Sequence, residues 1–296
     1  MNYNSFKQYI LSHLKEKYPE EEYEINVRKI MKNNGIQLEG LCIFDKKENI
    51  SPTIYLDSYY EKYLSGTILA EILYLIEMEY DRGMKLRPLM PNVKSYYEAV
   101  RSQIIMRLVN YEKNKEILED CPYFRFHDLA ISFRWLAHWD EIGISTALIT
   151  NKDLERWKVS KEQLYEDAMK NTRRIFPLQI RRLKEMMESY ELDLGHEDFD
   201  LFVLTNTQGI NGATSILYEG VLKDFASYRK SSFYLLPSSI HEMMICLVDS
   251  QISEHMLLSL VKEANHMVVT MGEVLSDNIY YYDYEKDELT MILNDL

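Results

Sequence analysis

Residues 199–249, FDLFVLTNTQGINGATSILYEGVLKDFASYRKSSFYLLPSSIHEMMICLVD, decide the fold class of this chain. Apolar runs in this stretch are separated by turn residues. Asn211-Gly212 is a typical hairpin signal, because both residues tolerate a positive φ. The pattern predicts, in order, the strands FDLFVLTN and ATSILYE, the helix GVLKDFASYR, and the paired strands SFYLLPSS and HEMMICLVD.

The rest of the chain extends this alternation in both directions. A helix capped by Ser253 and a tyrosine-rich strand around residues 279–284 complete a β-β-α-β-β-α-β segment over 199–293. A helical segment, interrupted by Pro177, precedes it at about 151–192. Earlier elements are predicted as a helix at 2–18, a hairpin of strands 22–31 and 36–44, a strand at 52–56, a helix at 66–81, a strand at 101–110, a helix at 111–119, and an antiparallel pair HDLAISFRWLA and ISTALIT.

This order of elements predicts an α+β fold. We expect antiparallel sheets with helices packed on one face, and the sequence carries no Rossmann or barrel signature. Gly83, Pro88 and Pro91 mark the best internal boundary, because glycine and proline end helices. The predicted organisation is an N-terminal α+β region at 1–92 and a main α+β domain at 93–296.

Composition and charge exclude several classes of function. The 296 residues carry 34 basic and 47 acidic side chains, and the net charge of −13 argues against a general nucleic-acid binder. No apolar run approaches the ~20 residues that span a bilayer, so we expect a soluble protein without membrane partners. The three scattered cysteines are typical of free thiols in a reducing compartment, which predicts a cytoplasmic location.

Motifs for nucleotide cofactors and metals are also missing. The chain has no GxxxxGK[ST], GxGxxG, HExxH or GxSxG motif. Its ten glycines in 296 residues are too sparse to favour a glycine-rich phosphate-binding loop. None of the seven histidines has a partner at metal-ligand spacing. We therefore expect no cofactor and no metal.

One polar cluster offers a catalytic hypothesis. Ser238, Ser239, His241 and Glu242 lie together between two predicted strands, and they supply hydroxyls, an imidazole and a carboxylate. A serine nucleophile needs a base within hydrogen-bond reach and a third group that orients the base. On a continuous strand, Ser239 and His241 share one face and Ser238 and Glu242 the other. The alternative interpretation is a polar turn that satisfies its own backbone groups.

Two further stretches are candidate binding sites. The amide-rich turn with Asn206, Asn211 and Gly212 suits a ligand, although Asn-Gly is above all a hairpin signal. Residues 173–184 hold five basic and no acidic residues, and 185–200 hold seven acidic and no basic ones. This contrast indicates either a long solvated helix or a docking surface for an acidic partner segment. The basic candidates are Arg173, Arg174, Arg181 and Arg182.

Six stretches have a distinctive order and wording: LVNYEKNKEIL, CPYFRFHDLAISFRW, ALITNKDLERWKVSKEQLYEDAMKNT, LTNTQGINGATSILYEGVLKDFA, FYLLPSSIHEMMI and EVLSDNIYYYDYEKDEL. Together they resemble a family of uncharacterised proteins from gut Firmicutes. The resemblance covers most of the chain from about Tyr97 to the end and weakly includes the first third. It implies a bacterial, intracellular, globular protein and brings no established active site to these positions.

Two functions follow as expectations. The first is a non-catalytic module that binds another macromolecule, a protein, in a regulatory role, because a complete catalytic motif is missing and the basic segment is segregated. In one variant, the acidic chain occupies the basic channel of a nucleic-acid-handling partner and inhibits it. The alternative is a hydrolase or transferase that uses His241 with Ser239 or Ser238.

Overall fold

The computed structural model describes residues 1–47, 51–86, 96–140, 143–188, 200–249 and 252–294. It confirms an α+β fold, with three antiparallel sheets and no closed barrel in these ranges. Contacts divide the chain into two compact units. The first unit comprises Met1–Lys32 and Ile36–Asn92, and the second comprises Asn33–Gly35 and Val93–Leu296. Of the predicted boundary residues, Gly83 lies in a helix, and Pro88 and Pro91 lie outside the described residues.

The first unit packs helices against a three-stranded sheet. The first helix begins after Asn2, whose side chain accepts a hydrogen bond from the Ser5 N–H, and it buries Phe6, Ile10 and Leu14 along one stripe. The sheet order is β1-β2-β3. The elements of this unit are α1 (Tyr3–Lys17), β1 (Tyr23–Met31), β2 (Gln37–Asp45), β3 (Thr53–Tyr55), α2 (Leu56–Leu64) and α3 (Leu69–Leu86).

The second unit begins with a four-stranded sheet built around one long strand. That strand, β6, pairs with β4 along one side and with both β5 and β7 along the other. The elements of this part are α4 (Tyr97–Val100), β4 (Ile104–Asn110), α5 (Lys115–Glu119), β5 (Tyr123–Phe126), β6 (Leu129–Asp140), β7 (Gly143–Leu148), α6 (Asn151–Trp157) and α7 (Lys161–Ile175).

A six-stranded antiparallel sheet follows in the same unit. Its strand order is β13-β12-β10-β11-β9-β8, so β8 and β13 are its edges among the described strands. The elements are β8 (Leu178–Arg182), α8 (Leu183–Glu188), β9 (Leu201–Asn206), α9 (Val221–Arg229), β10 (Phe233–Ser239), β11 (Glu242–Leu247), α10 (Glu254–Met267), β12 (Ile279–Asp283) and β13 (Glu288–Ile292).

The main core lies on one face of each of these two sheets. Leu108 and Phe133 of the four-stranded sheet share one buried cluster with Leu204, Ile245 and Tyr280 of the six-stranded sheet. Because side chains alternate along a strand, the neighbouring residues face the other way. On the six-stranded sheet, α10 covers that second face with a cluster that includes Leu257, Leu258 and Val261.

The segment ATSILYE, predicted as a strand, is instead part of a short 3₁₀ helix at Gly212–Leu217. Its residues Ala213–Ile216 are all buried, so the apolar run does not alternate between two faces. Its polar groups bond other elements: the Leu108 N–H donates to Thr214 Oγ1 at 3.1 Å, and the Ala213 N–H donates to the Ile240 carbonyl at 3.3 Å. Tertiary contacts therefore override the β-propensity of this run.

The predicted helical segment at 151–192 also needs a correction. Helices α6 and α7 are present, but Leu178–Arg182 after Pro177 form the strand β8, which pairs with β9 in register Leu178↔Asn206 to Arg182↔Phe202. The strand forms because β9 offers it a ladder, which local sequence does not reveal. Residues 189–192 lie outside the described part. Two short strands, β5 and β13, were not predicted, and β4 begins at Ile104 rather than at 101.

Candidate functional site

The predicted catalytic cluster forms the tight turn between β10 and β11. Ser239 pairs with Glu242 across the hairpin, so Ile240 and His241 make the chain reversal. The cluster thus lies at the junction of two paired strands, and the same-face relation of Ser239 and His241 that one continuous strand would give does not apply. Ser239 is 9% exposed, and its Oγ accepts a hydrogen bond from the His241 backbone N–H at 3.0 Å. Ser238 belongs to β10, and its side chain lies outside the described part of the structure.

Both nitrogens of the His241 imidazole have partners other than serine. Nδ1 accepts a hydrogen bond from the Asn211 backbone N–H at 3.2 Å, and Nε2 lies 3.3 Å from Glu273 Oε1. The neutral ring that satisfies both contacts carries its proton on Nε2. Within the described residues, neither ring nitrogen bonds Ser239 Oγ. For Ser239, the described geometry therefore lacks the nucleophile–base contact that the hydrolase or transferase hypothesis requires.

The amide-rich turn lies against the same imidazole, and its polar side chains form hydrogen bonds within the turn. Asn206 is 2% exposed; its Nδ2 donates to the Ile210 carbonyl at 2.8 Å, and its Oδ1 accepts from the Gln208 N–H at 3.0 Å. Thr205 Oγ1 donates to the His241 carbonyl at 2.8 Å. The fold thus brings Asn206, Asn211 and Gly212 next to His241. Their polar groups close loops, which favours the polar-turn interpretation.

We expect His241→Ala to lower the free energy of unfolding by about 1 kcal/mol, because the Asn211 N–H loses its acceptor and water can replace it in part. Urea unfolding followed by tryptophan fluorescence measures this change. The matched control is His255→Ala, because His255 is exposed on α10. Equal effects of the two substitutions would contradict a structural role for the His241 hydrogen bonds.

The four predicted basic residues do not form one helix face. Arg173 and Arg174 are exposed at the end of α7, where Arg174 Nη2 donates to the Ser102 carbonyl at 2.8 Å. Arg181 and Arg182 are exposed on β8. Because they are consecutive strand residues, their side chains point to opposite faces of the sheet. The prediction of one long helix is therefore wrong for this pair.

A basic groove nevertheless forms at the β8 edge. It has a volume of about 360 Å³. Asp200 Oδ1 lies 2.5 Å from Arg182 Nε, and Asp200 Oδ2 lies 2.5 Å from Arg229 Nη2. The hydrogen bond from Arg182 and the charges of both arginines outweigh burial and hold the pKa of Asp200 below its ordinary value. The groove is lined by Ile180, Arg181, Arg182, Glu185, Phe202, Phe225, Tyr228 and Arg229.

Arg229 is the basic groove residue that sequence reasoning missed. It closes α9, 47 positions after Arg182, and no spacing rule links the two. Its guanidinium carbon lies 4.6 Å from the centre of the Phe202 ring, which is cation–π geometry. The ring contact and the Asp200 hydrogen bond fix the guanidinium in place.

Among the described strands, β8 has a pairing partner on one side only. The Thr207 N–H donates to the Pro177 carbonyl at 2.9 Å, in the register that pairs Leu178 with Asn206. Hydrogen-bonded pairs alternate along an antiparallel ladder, so residues 177, 179 and 181 bond β9. The N–H and C=O groups of Leu178, Ile180 and Arg182 therefore point toward the free edge. In the described ranges, no other strand pairs with them.

The described residues contain neither a cluster of metal ligands nor a membrane-spanning helix. No group of three or more His, Cys, Asp or Glu side chains in those ranges is arranged to hold a metal ion. No helix there combines the length and apolarity needed to cross a membrane. Cys42, Cys121 and Cys246 are free and buried. Burial raises the pKa of the Cys121 and Cys246 thiols to about 11, so neither is a reactive thiolate near neutral pH.

Comparison with known proteins places the chain in one family. No curated protein gives a significant match, and neither does any solved structure. The model of a family described as "Family of unknown function (DUF5688)" matches residues 3–284. That match spans most of the 296 residues and includes both compact units. The chain therefore belongs to the DUF5688 family of unknown function.

Proposed function

We propose that this protein is a non-catalytic binding module that recognises an acidic, extended segment of a partner protein at the β8 edge. One observation carries the proposal: three arginines and three aromatic rings line a groove beside a strand edge that no described strand pairs. Such an edge offers main-chain hydrogen bonds to an added strand, while flanking pockets supply specificity. A regulatory role follows if the bound segment controls the partner.

The charge of the groove supports an acidic occupant. Its lining residues include three arginines and one glutamate. With Asp200, which pairs with Arg182 and Arg229, the local balance is 3 − 2 = +1. The whole chain carries −13, so most of its surface repels an acidic segment and the groove attracts one. Charge complementarity of this kind selects a partner and speeds its association.

The aromatic lining supports a protein partner. Tyr228 is 82% exposed beside the buried Phe202 and Phe225 rings. Tyrosine and arginine are enriched among residues that dominate binding energy at protein interfaces. Arg229 is already fixed by Phe202 and Asp200, so binding costs little of its side-chain entropy.

We expect the heptapeptide Glu-Val-Glu-Val-Glu-Val-Glu, labelled with fluorescein, to bind the wild-type protein more weakly as salt rises. Arg181→Glu should weaken its binding about fivefold or more, because Arg181 contacts the Gln179 amide and no described carboxylate neutralises it. Fluorescence anisotropy at two salt concentrations measures both effects.

Lys152→Glu is the matched control. It makes the same change in net charge, −13 − 2 = −15, on the exposed first turn of α6. The proposal expects little effect from it, and equal weakening by the two variants would contradict a groove-specific site. Tighter binding of the peptide Lys-Val-Lys-Val-Lys-Val-Lys would instead favour the alternative in which this acidic chain inhibits a basic partner.

The open edge itself is tested by Ile180→Pro against Ile180→Ala. Both variants remove the Ile180 side chain, but proline also removes the outward N–H and places its ring at the edge. Because that N–H does not bond β9, proline leaves the ladder intact. We expect Ile180→Pro to abolish peptide binding and Ile180→Ala to reduce it only in part. Equal binding by the two variants would contradict strand addition. Dimerisation of the protein through this edge would show that a second copy of the chain, and not an acidic segment, occupies it.

The proposal places the module in the cytoplasm of a bacterium. The three free cysteines support a reducing compartment. Fractionation of cells that express the full chain, followed by immunoblotting, tests the location. Recovery with the membrane or secreted fraction would contradict it.

A further inference from the structure

The strand β1 is a long, regular sheet edge in the first compact unit. It pairs with β2 along one side, and no described strand pairs with its other side. All nine residues of Tyr23–Met31 lie in register with β2, so the strand contains no bulge, and its sequence contains no proline. Proline and bulges are two devices by which proteins stop a free edge from pairing with another chain. The β1 edge uses neither, so its backbone can accept a further strand.

The hydrogen-bond register shows which backbone groups of β1 face this free edge. Directly after the strand, the Lys32 N–H donates to the Ile36 carbonyl at 2.7 Å. Hydrogen-bonded pairs alternate along an antiparallel ladder, so the even-numbered residues of β1 bond β2. The odd-numbered residues therefore direct their N–H and C=O groups outward. The N–H of Tyr23 is the exception, because it donates to the Pro19 carbonyl at 2.9 Å.

Charges of opposite sign lie on either side of Asn26, the middle of this segment. Residues 20–24 hold four glutamates and no basic residue, and residues 28–32 hold three basic residues and no acidic one. Glu24 and Arg28 are both exposed and, being separated by four positions, share one face of the strand with Asn26. The Asn26 Nδ2 donates to Glu24 Oε1 at 2.7 Å on that face. Charges of a single sign would repel a second copy of the strand, whereas this arrangement complements itself when the direction is reversed.

A twofold axis at Asn26 would satisfy both the backbone and the charges of two antiparallel copies. Ile25 would lie opposite the partner's Val27, and the outward groups of these residues would form hydrogen-bonded pairs. Glu24 would lie opposite the partner's Arg28, twice in each dimer. Those two positions are non-hydrogen-bonded pairs, in which opposing side chains approach most closely. Moving the axis by one residue, to Val27, would lose both ion pairs and set Ile25 opposite a lysine.

The other face of the same edge adds apolar contact to this arrangement. Tyr23, Ile25 and Val27 are half-buried and pack against the core of the first unit. With the axis at Asn26, Ile25 would contact the partner's Val27, and the Tyr23 ring would lie beside the partner's Lys29. An ammonium group next to an aromatic ring is favourable. Burial of the exposed parts of these side chains therefore favours association.

We propose that two copies of this chain associate through β1, with the twofold axis at Asn26. The pairing joins two three-stranded sheets into one antiparallel sheet of six strands, and it is isologous, as in most protein dimers. Stable interfaces bury about 1,200 Å² or more, and the edge of one nine-residue strand is smaller than this, so the dimer is weak and depends on concentration. The proposal uses residues of the first unit only and is independent of the β8 groove in the second.

Sedimentation equilibrium of the full chain over a range of concentrations tests the proposal. We expect the average mass to rise with concentration from that of one chain toward that of two. Glu24→Arg and Arg28→Glu should each weaken association about tenfold or more, because both cross-strand ion pairs become repulsive. The mass of a single chain at every wild-type concentration up to about 1 mM would overturn the proposal.

An equimolar mixture of the two variants gives the sharpest test of the register. In a mixed pair, arginine at position 24 of one chain faces glutamate at position 28 of the other, and the second pair joins the native Arg28 and Glu24. We expect the mixture to dimerise about as well as the wild type, although each variant alone does not. The variants carry net charges of −13 + 2 = −11 and −13 − 2 = −15, so general attraction between them does not explain this result. A mixture that stays monomeric would overturn the pairing at Asn26.

Two variants of the second unit are the matched controls. Lys152→Glu gives the same net charge of −15 as Arg28→Glu and should leave the dimer intact. Equal weakening by these two variants would indicate general repulsion and would overturn the β1 site. Ile180→Pro should also leave the dimer intact, because it changes only the β8 edge. Loss of the dimer in Ile180→Pro, with no effect of Glu24→Arg, would assign association to β8 and overturn the proposal.

Discussion

Replacing Gly212 by alanine is expected to lower the free energy of unfolding by about 3 kcal/mol or more. A Cβ atom at this position would lie 2.0 Å from Thr205 Oγ1 and 2.3 Å from the His241 carbonyl oxygen. It would also lie 2.9 Å from the Asn206 backbone nitrogen. Two of these atoms belong to the backbone, so β9 or the β10–β11 turn must move. The cost is steric, since Gly212 is not among the residues with positive φ.

The three tryptophans make this prediction easy to measure. Trp135, Trp139 and Trp157 all lie in the second unit, as Gly212 does, so urea unfolding followed by tryptophan fluorescence reports on that unit. Gly209→Ala is the matched control from the same turn. Gly209 has φ +64° and open space around it, so its substitution should cost about 1 kcal/mol. A similar loss in both variants would contradict the steric argument.

Replacing Asp167 by alanine is expected to cost about 3 kcal/mol, because it breaks a buried carboxylate network. Asp167 on α7 is 5% exposed and accepts hydrogen bonds from Tyr97 OH at 2.7 Å and from Arg101 Nε at 3.0 Å. Gln163 Nε2 donates to it at 3.1 Å. The substitution leaves the Tyr97 hydroxyl buried without its acceptor. The same fluorescence measurement gives the size of the loss, and a cost below about 1 kcal/mol would contradict the argument.

The same network predicts how stability depends on pH. Burial alone would raise the pKa of Asp167, but the hydrogen bonds from Arg101, Tyr97 and Gln163 outweigh it and lower the pKa. A depressed folded-state pKa contributes stability above the unfolded value of about 3.9, and this contribution is lost as pH falls through the folded pKa. Acid titration of unfolding should therefore show a loss that begins below about pH 5. Asp167→Asn should make the free energy of unfolding less dependent on pH below about pH 5. An unchanged dependence in this variant would contradict the role of Asp167.

Local sequence predicted much of the chain because strong periodicity and turn chemistry operate over short distances. The β1–β2 hairpin and α10, with its Ser253 cap, are confirmed, as are the paired strands β10 and β11. The failures share one cause. In both cases the conformation depends on a partner that is distant in sequence. The 3₁₀ helix at Gly212–Leu217 bonds β4, and β8 forms because it pairs with β9.

The candidate site divides along the same line. The sequence identified His241, Asn211 and Arg182 as chemically notable by residue type alone. It could not show that Asn211 donates to His241 Nδ1, or that Arg229 joins Arg182 on Asp200. Nor could it show that Arg107 Nε is buried without a hydrogen-bond partner in the described part of the structure.

By itself, the sequence determined the α+β class and most of the elements, since these depend on apolar periodicity, caps and turn residues that lie within a few positions of one another. Only the tertiary structure decided which strand became a sheet edge among the described strands, which glycine had no room for a side chain, and which arginine joined Arg182 on Asp200. The physical reason is that packing, hydrogen bonding and charge compensation act between atoms close in space, whereas their residues here lie tens of positions apart along the chain.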